Sequence, residues 1–185
     1  MKIKLFSFFT ISILIAFFVI SCSEEETSVN PPSGNALINT SFEKNGKFSA
    51  DGWTLPTQSD SSADVPPNGG TYSLELESNQ PPELYAEIMV PVLTQFNSYR
   101  LSFWSKSNGV SSGIYGKAIL SLIRNGSEVK SISMTLDNIV WSSNTIADTF
   151  SVANGDSFKV QLSGGANQLL PGNTKFDLCK LEAVE

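Results

Sequence analysis

Apolar and polar residues alternate along much of this chain, and that alternation constrains the fold more than any other feature. Tyr99, Leu101 and Phe103, for example, are separated by Arg100 and Ser102. A period of two places successive side chains on opposite faces of an extended strand. No stretch shows a convincing helical period. The sequence therefore predicts half-buried β-strands, each with one face toward an apolar core.

Turn signals separate about ten such segments. The clearest is Asn125-Gly126, because this pair accepts the positive φ angles of a type I′ turn and predicts a hairpin between residues 114–123 and 128–135. Further strands are predicted near residues 36–42, 52–55, 72–77, 84–92, 99–106, 145–152, 158–162 and 174–183. About ten short strands separated by such turns are typical of an all-β fold, a β-sandwich.

The first 21 residues have the composition of a signal peptide. Two lysines precede an apolar run at residues 5–20, and Ser21 and Cys22 follow it. The segment 19–22 resembles the lipobox of bacterial lipoproteins, in which cleavage leaves the cysteine as a lipid-carrying N-terminus. A transmembrane span needs about 20 apolar residues, whereas this run ends at a cleavage-like site. We therefore predict a signal peptide at residues 1–21 and lipidation at Cys22.

Residues 22–35 are expected to form a disordered tether, because Val29 is the only residue there with apolar surface to bury. Ser23 and the three glutamates after it resemble the acidic export signal of some Bacteroidetes-type lipoproteins. A solvated linker would have a similar composition. The expected location is the outer membrane, where the lipid anchor would hold the protein on the cell surface.

Composition excludes several classes of function. The formal net charge is −6 and the basic residues are scattered, so nucleic acid is not an expected partner. The chain has no histidine, which excludes Ser/His/Asp and Cys/His triads. With Cys22 lipidated, Cys179 has no disulfide partner within the chain, and its apolar neighbours predict a small buried hydrophobe.

The predicted domain, residues 36–185, opens with ALINTSFE at 36–43 and GWT at 52–54. This opening resembles that of carbohydrate-binding modules with the galactose-binding-like jelly roll. The segments YRLSFW at 99–104 and FDLCKLE at 176–182 resemble later elements of the same family. The resemblance implies a jelly-roll β-sandwich that binds a polysaccharide or glycan without catalysis.

The resemblance also implies a structural calcium. In relatives of this fold, calcium is often held by an early glutamate, a late aspartate and backbone carbonyls, which correspond to Glu43 and Asp177 here. Leu178 replaces the second aspartate of the usual terminal pair, and Cys179 replaces an aliphatic residue. Calcium takes six to eight oxygen ligands. Two solvated acids at strand ends are therefore the alternative interpretation.

A sugar-binding face needs an aromatic platform beside carboxylate, amide or guanidinium groups. If Tyr99, Leu101 and Phe103 face the core, the residues between them face outward. The same alternation applies to the strand at 84–92, and Tyr115 begins the next hairpin with Lys117 on its side. We therefore expect one cleft formed by five outward residues: Tyr85, Glu87, Arg100, Trp104 and Tyr115. Trp104 has an alternative role, which is to fill a gap or lie under a loop.

These patterns favour a surface-displayed, glycan-binding lipoprotein. The main alternative is a structural or adhesive surface protein that contacts another protein through the same face. Glycosidase chemistry requires two carboxyl groups about 5 to 9.5 Å apart, and Glu75 and Glu77 share one strand face. Exposed strand glutamates are common, however, and the short chain leaves little room for an enclosing active site. We therefore expect a protein that is not an enzyme.

Overall fold

The computed structural model describes residues 35–77, 83–108, 116–165 and 172–185. These residues form twelve β-strands and no helix. No helix that is long and apolar enough to cross a membrane therefore occurs among them. The strands are β1 (Ala36–Thr40), β2 (Glu43–Lys44), β3 (Lys47–Phe48), β4 (Ser59–Ser62), β5 (Ser73–Glu77), β6 (Ala86–Pro91), β7 (Ser98–Asn108), β8 (Gly116–Arg124), β9 (Ser127–Leu136), β10 (Ser142–Thr149), β11 (Ser157–Ser163) and β12 (Asn173–Val184).

The strands form a two-layer sandwich, which confirms the predicted all-β fold. One sheet has the order β10-β7-β12-β5-β4, with β1 also paired to β12, and the other has the order β6-β11-β8-β9. Strands β2 and β3 form a separate small hairpin. We call the solvent side of the first sheet the six-strand face and that of the second the four-strand face. In a sandwich these two faces point in opposite directions.

The alternation seen in the sequence places the core between the two sheets. On β7, Tyr99, Leu101 and Phe103 are fully buried, whereas the residues between them face outward. Phe158 of the facing sheet lies 4.4 Å from Tyr99 between ring centroids. The hydroxyl of Tyr99 donates to the Leu93 carbonyl at 2.6 Å, so the one polar atom of this side chain is satisfied.

Most predicted strands are present, and the Asn125-Gly126 hairpin is confirmed with φ angles of 50° and 76°. The predicted strand at 52–55 is reduced to a single bridge between Thr54 and Glu87. Strand β4 was not predicted because its sequence, SDSS, contains no apolar residue. Cys179 is fully buried, as predicted, and burial raises the pKa of its thiol to about 12.

Strands β6 and β7 follow one another in the chain but belong to different sheets. The connection at residues 92–97 therefore crosses from one layer of the sandwich to the other. An alternating pattern shows which side chains of a strand face outward, but it does not show which sheet the strand joins. This crossing decides where the predicted site residues lie.

A β-bulge in β12 changes which residues face outward near the C-terminus. The register with β7 shifts between Asp177 and Lys180, and Leu178 has a left-handed φ of 48°. Before the bulge, Asp177 pairs with Trp104 on the six-strand face, and after it Lys180 pairs with Ser102. The extra residue lets Asp177 and Lys180 both lie on the same face.

A loop at residues 63–72 is tied to the six-strand face through Asp64. One carboxylate oxygen of Asp64 accepts hydrogen bonds from Lys106 at 2.7 Å and Lys175 at 2.8 Å, and the other accepts from Trp141 Nε1 at 2.9 Å. Burial raises the pKa of Asp64, but these three donors outweigh it and lower the pKa well below its ordinary value. The loop consequently lies over part of the sheet that carries Trp104.

Candidate functional site

The four-strand face carries a polar pair on two neighbouring strands. Glu87 of β6 pairs with Gln161 of β11, and the next residue across, Ile119 of β8, is apolar and half-buried. Gln161 Nε2 donates a hydrogen bond to Glu87 Oε1. Tyr85 comes directly before β6, two residues from Glu87, and is therefore on the same side of the chain. This arrangement places an aromatic ring beside a fixed amide and carboxylate.

Glu83 is the centre of a hydrogen-bond network on this face. Its carboxylate accepts from Tyr85 Oη at 2.8 Å, from Lys117 Nζ at 2.7 Å and from Ser163 Oγ at 2.6 Å. Lys117 lies on β8 and Ser163 on β11, so the network joins the segment before β6 to two other strands. Burial raises the pKa of Glu83, but the three donors outweigh it and lower the pKa. The carboxylate is therefore ionised and held in one position near neutral pH.

Tyr85 is half-buried, and its hydroxyl is held by Glu83. Burial raises the pKa of Tyr85 to about 12, and the hydrogen bond from its hydroxyl to Glu83 and the charges of Glu83 and Glu87 add to this effect. The phenol consequently stays neutral, and the network restricts the ring. A restrained ring with fixed acceptors and donors around it matches the apolar face and hydroxyl rim of a sugar.

The structure does not bring all the predicted site residues together. Tyr85 and Glu87 belong to the four-strand face, whereas Arg100 and Trp104 lie on the six-strand face, so the prediction of one shared cleft is wrong. The physical reason is the crossing of the chain between β6 and β7. Tyr115, which completes the predicted cleft, lies outside the described residues, as does the predicted lipidation site Cys22.

The surroundings of Arg100 and Trp104 differ from those of Tyr85. The guanidinium of Arg100 donates twice to Glu182 Oε1, at 3.0 Å and 2.6 Å, and is occupied by this ion pair. Trp104 is half-buried, and its strand partner Asp177 is fully buried. Part of the same face lies under the loop at 63–72, which Asp64 ties to Lys106 and Lys175.

Sequence reasoning missed Glu83, Gln161 and Ser163. Glu83, Tyr85 and Glu87 continue the period of two, so extending the predicted strand by one residue toward its N-terminus would have included Glu83. Gln161 and Ser163 lie on a strand whose alternation was recognised, but nothing local shows that this strand is next to β6. That neighbour relation depends on the sheet order.

Glu43 and Asp177, the residues proposed for calcium, lie on either side of the Gly69-Gly70 turn. A Cβ added at Gly69 would overlap Asp177 Oδ2, and one added at Gly70 would overlap Glu43 Oε2. Glu43 Oε1 accepts hydrogen bonds from the backbone amides of Thr71 and Tyr72. Only glycine leaves space for both carboxylates to approach this turn.

Asp177 is fully buried, and its Oδ2 has no hydrogen-bond partner among the described residues. Its Oδ1 accepts from the Leu178 amide at 2.7 Å. Burial raises the pKa of Asp177 to about 7, the amide hydrogen bond opposes this, and the charge of Glu43 adds to it. An unpaired buried carboxylate beside a second carboxylate is costly unless a proton or a cation neutralises it.

The two residues next to these carboxylates have strained backbones. Phe42, directly before Glu43, has φ 55°, and Leu178, directly after Asp177, has φ 48°. The described residues contain no cluster of three or more acidic, histidine or cysteine side chains, so backbone carbonyls or water would have to supply the other oxygens of a calcium site. The acidic pair and the orphan oxygen fit a hard cation.

Comparison with known proteins gives matches among solved structures. No protein-family model and no curated protein matches the sequence. The chain is similar to a structure described as Family 16 Carbohydrate Binding Module-2, with 20% identity, a TM-score of 0.55 and coverage of 82% of this chain and 100% of that one. It is also similar to a family 61 carbohydrate-binding module in complex with β-1,4-galactotriose, with 19% identity, a TM-score of 0.54 and coverage of 81% and 99%.

A third similar structure is the CBM22-1 xylan-binding domain from Paenibacillus barcinonensis Xyn10C. It is 16% identical, with a TM-score of 0.53 and coverage of 82% of this chain and 96% of that one. At this level of identity the likeness shows the fold alone. The chain therefore has the jelly-roll β-sandwich fold of carbohydrate-binding modules.

Proposed function

We propose that this protein is a noncatalytic glycan-binding protein and that its four-strand face holds the sugar. The observation that carries this proposal is the Tyr85 ring held by Glu83 beside the Glu87–Gln161 pair. A ring of this kind contacts the C–H face of a sugar, while the fixed carboxylates and amide bind its hydroxyls. The similar modules bind galactotriose and xylan by their own descriptions, which supports a polysaccharide as the ligand.

The polar character of this face favours sugar over a protein partner. Beyond Glu87 and Gln161, the outward positions of β8 and β9 include Lys117, Ser131, Ser133 and Thr135, with one half-buried apolar residue, Ile119, among them. The centres of protein interfaces are depleted in charged residues and serine. The exposed apolar residues of this sheet, Met89 at 56% and Val129 at 52% exposure, lie on its two opposite edge strands and form no continuous patch.

Binding is tested by screening a glycan array and then measuring affinity for the best ligand by calorimetry. Tyr85→Ala is expected to weaken binding by about 2 kcal/mol, roughly 30-fold in Kd, because it removes the aromatic platform. Trp104→Ala is the matched control, since Trp104 is a half-buried aromatic residue on the opposite face. It is expected to leave Kd unchanged.

Three outcomes contradict the proposal. The first is the absence of binding to any polysaccharide. The second is a loss of affinity in the Trp104 variant with none in the Tyr85 variant, which would place the ligand on the six-strand face. The third is isolation of a stable protein complex through Tyr85 and Glu87, which would favour the structural or adhesive alternative.

The sequence also supports a proposal about location. Cys22 would carry the lipid that anchors the protein to the outer membrane, with the domain displayed on the cell surface. Labelling cells with a radioactive fatty acid tests the anchor, because Cys22→Ala should abolish incorporation. Protease added to intact cells tests display: digestion of the protein supports the cell surface, and full protection contradicts it.

We further propose that Glu43 and Asp177 hold a structural calcium ion. Support comes from the buried, unpartnered Oδ2 of Asp177 and from the two glycines that leave room for both carboxylates. Bound there, calcium would neutralise two neighbouring negative charges and join β12 to β2. The proposed role is structural: Asp177 lies in the sheet opposite to Tyr85, and Glu43 lies in the separate β2–β3 hairpin.

A further inference from the structure

A polar groove of about 830 Å³ lies on the six-strand face. It is bounded by the end of β1, the β2–β3 hairpin, the loop at 63–72 and the β12 bulge. Its lining includes Asn39, Ser41, Asn45, Asn68, Ser102 and Lys180. The volume falls within the range of small-molecule binding sites, about 300 to 1,000 Å³. Since the groove opens on the opposite layer from Tyr85, it is separate from the proposed glycan site.

The groove presents hydrogen-bonding groups that the protein itself does not use. Within the described residues, the side chains of Asn39, Ser41, Asn68 and Ser102 make no hydrogen bond to protein. These groups include two amides, each able to donate and accept, and two hydroxyls. They are available to a ligand with several hydroxyl groups.

Strained backbone is concentrated around the same groove. Five described residues other than glycine have a left-handed φ, and three of them, Asn45, Asn68 and Leu178, line the groove. A fourth, Phe42, lies between the lining residues Ser41 and Glu43. Asparagine tolerates this conformation, but phenylalanine and leucine rarely adopt it. Strain of this kind is typical of functional sites, where the surrounding structure holds it in place.

The charges of the groove define the class of ligand. Lys44 Nζ lies 2.7 Å from Asp51 Oδ2, and Lys180 is paired with Glu182. Both cations at the groove therefore already have a carboxylate partner, and an anionic ligand would have to compete for them. Among the residues that the structure describes, no aromatic ring lines the groove, so a ligand there would be held by hydrogen bonds rather than by stacking.

We infer that this groove is a second saccharide site, which takes a neutral sugar through amide and hydroxyl contacts. Because the two sites face in opposite directions, one molecule would bind two glycan segments at once and connect them. The groove does not depend on Tyr85. Its test can therefore fail or succeed independently of the proposed four-strand site.

The test uses the ¹⁵N-labelled Tyr85→Ala protein, in which the four-strand site lacks its aromatic platform. It is titrated with glucose, galactose, xylose and arabinose, and separately with glucuronate as an acidic sugar. We expect saturable shifts of the Asn39 and Asn68 side-chain amide signals with at least one neutral sugar. The double variant Asn39→Ala/Ser102→Ala should weaken that binding about 10-fold, because two hydrogen-bonding groups are lost.

Thr145→Ala is the matched control, since Thr145 pairs with Ser102 on the same face but does not line the groove. It should leave the affinity unchanged. Thermal unfolding of each variant shows whether the fold is intact, and none of these exposed or unpartnered polar groups should alter it strongly. The absence of saturable shifts with every neutral sugar, or shifts with glucuronate alone, would overturn the inference. Equal weakening by Thr145→Ala would also overturn it.

Discussion

Replacing Asp177 by asparagine should have opposite effects on stability with and without calcium. The two side chains have nearly the same shape, so the change removes a charge and leaves little cavity. In calcium-free protein, Asp177 is fully buried, its Oδ2 is unpartnered and Glu43 repels it. Asparagine keeps an oxygen for the Leu178 amide and ends the repulsion. The variant should therefore be more stable than the wild type by about 2 kcal/mol.

Calcium should reverse this order. A ligand present at 100 times its Kd stabilises the folded state by about 2.7 kcal/mol, and 1 kcal/mol corresponds to about 2 to 4 °C in Tm for a chain of this size. The wild type should therefore gain about 5 to 11 °C on addition of calcium. The variant has one carboxylate of the pair instead of two, so it should bind calcium weakly and gain much less.

The assay is thermal unfolding followed by circular dichroism at neutral pH, in chelator and in excess calcium chloride. Asp137→Asn is the matched control, because Asp137 is an exposed carboxylate with no hydrogen bond or ion pair in the described structure. This control should respond to calcium as the wild type does. The reasoning is refuted if the wild-type Tm is the same in both conditions, or if the Asp177 variant gains as much as the wild type.

Three other changes test the core, the loop and the network. Phe158→Ala removes a fully buried ring that packs on Tyr99, and should lower the free energy of unfolding in urea by about 3 to 5 kcal/mol. Asp64→Ala should cost about 1 to 3 kcal/mol and speed proteolysis within residues 63–72, because it frees the loop. The pKa of Glu83 is lowered in the folded state from its ordinary value of 4.5. Its contribution to stability is therefore present above that ordinary value and is lost as pH falls through the lower pKa of the folded state. Glu83→Gln should flatten that part of the Tm–pH profile, and an unchanged profile would contradict it.

The fold was predictable because its evidence is local. Alternation along β7 and the Asn125-Gly126 turn are properties of adjacent residues, and both are present as expected. Strands β2 and β3 are only two residues each and are joined by Asn45-Gly46, with φ angles of 54° and 67°. Such short strands have no room for a periodic pattern. Sequence patterns therefore predict long amphipathic strands better than short polar ones.

The candidate site was only half predictable because its evidence is not local. The alternating pattern correctly predicted that Tyr85 and Trp104 face outward. Whether two outward residues share a surface, however, depends on the order of the strands in the sheets. The chain crosses between sheets over six residues, a length that also fits a hairpin connection within one sheet. The partners of Glu83 come from β8 and β11, which lie far along the sequence. The carboxylates of Glu43 and Asp177 approach adjacent glycines, Gly70 and Gly69, although the two residues are separated by most of the domain.

Glu83 and Asp177 lie on opposite faces, and the protein stabilises the charges of their carboxylates to different extents. Glu83 accepts three hydrogen bonds, so its charge is stabilised by the protein and its pKa is lowered. Asp177 accepts one hydrogen bond, from the Leu178 amide, so its charge is not balanced and its pKa is raised. A balanced carboxylate favours neutral ligands, because it needs no cation and holds its neighbours in place for hydroxyl groups. An unbalanced carboxylate favours a cation, because neutralisation removes the cost of burying its charge. This contrast is why we assign sugar contacts to the network around Glu83 and calcium to the pair formed by Glu43 and Asp177.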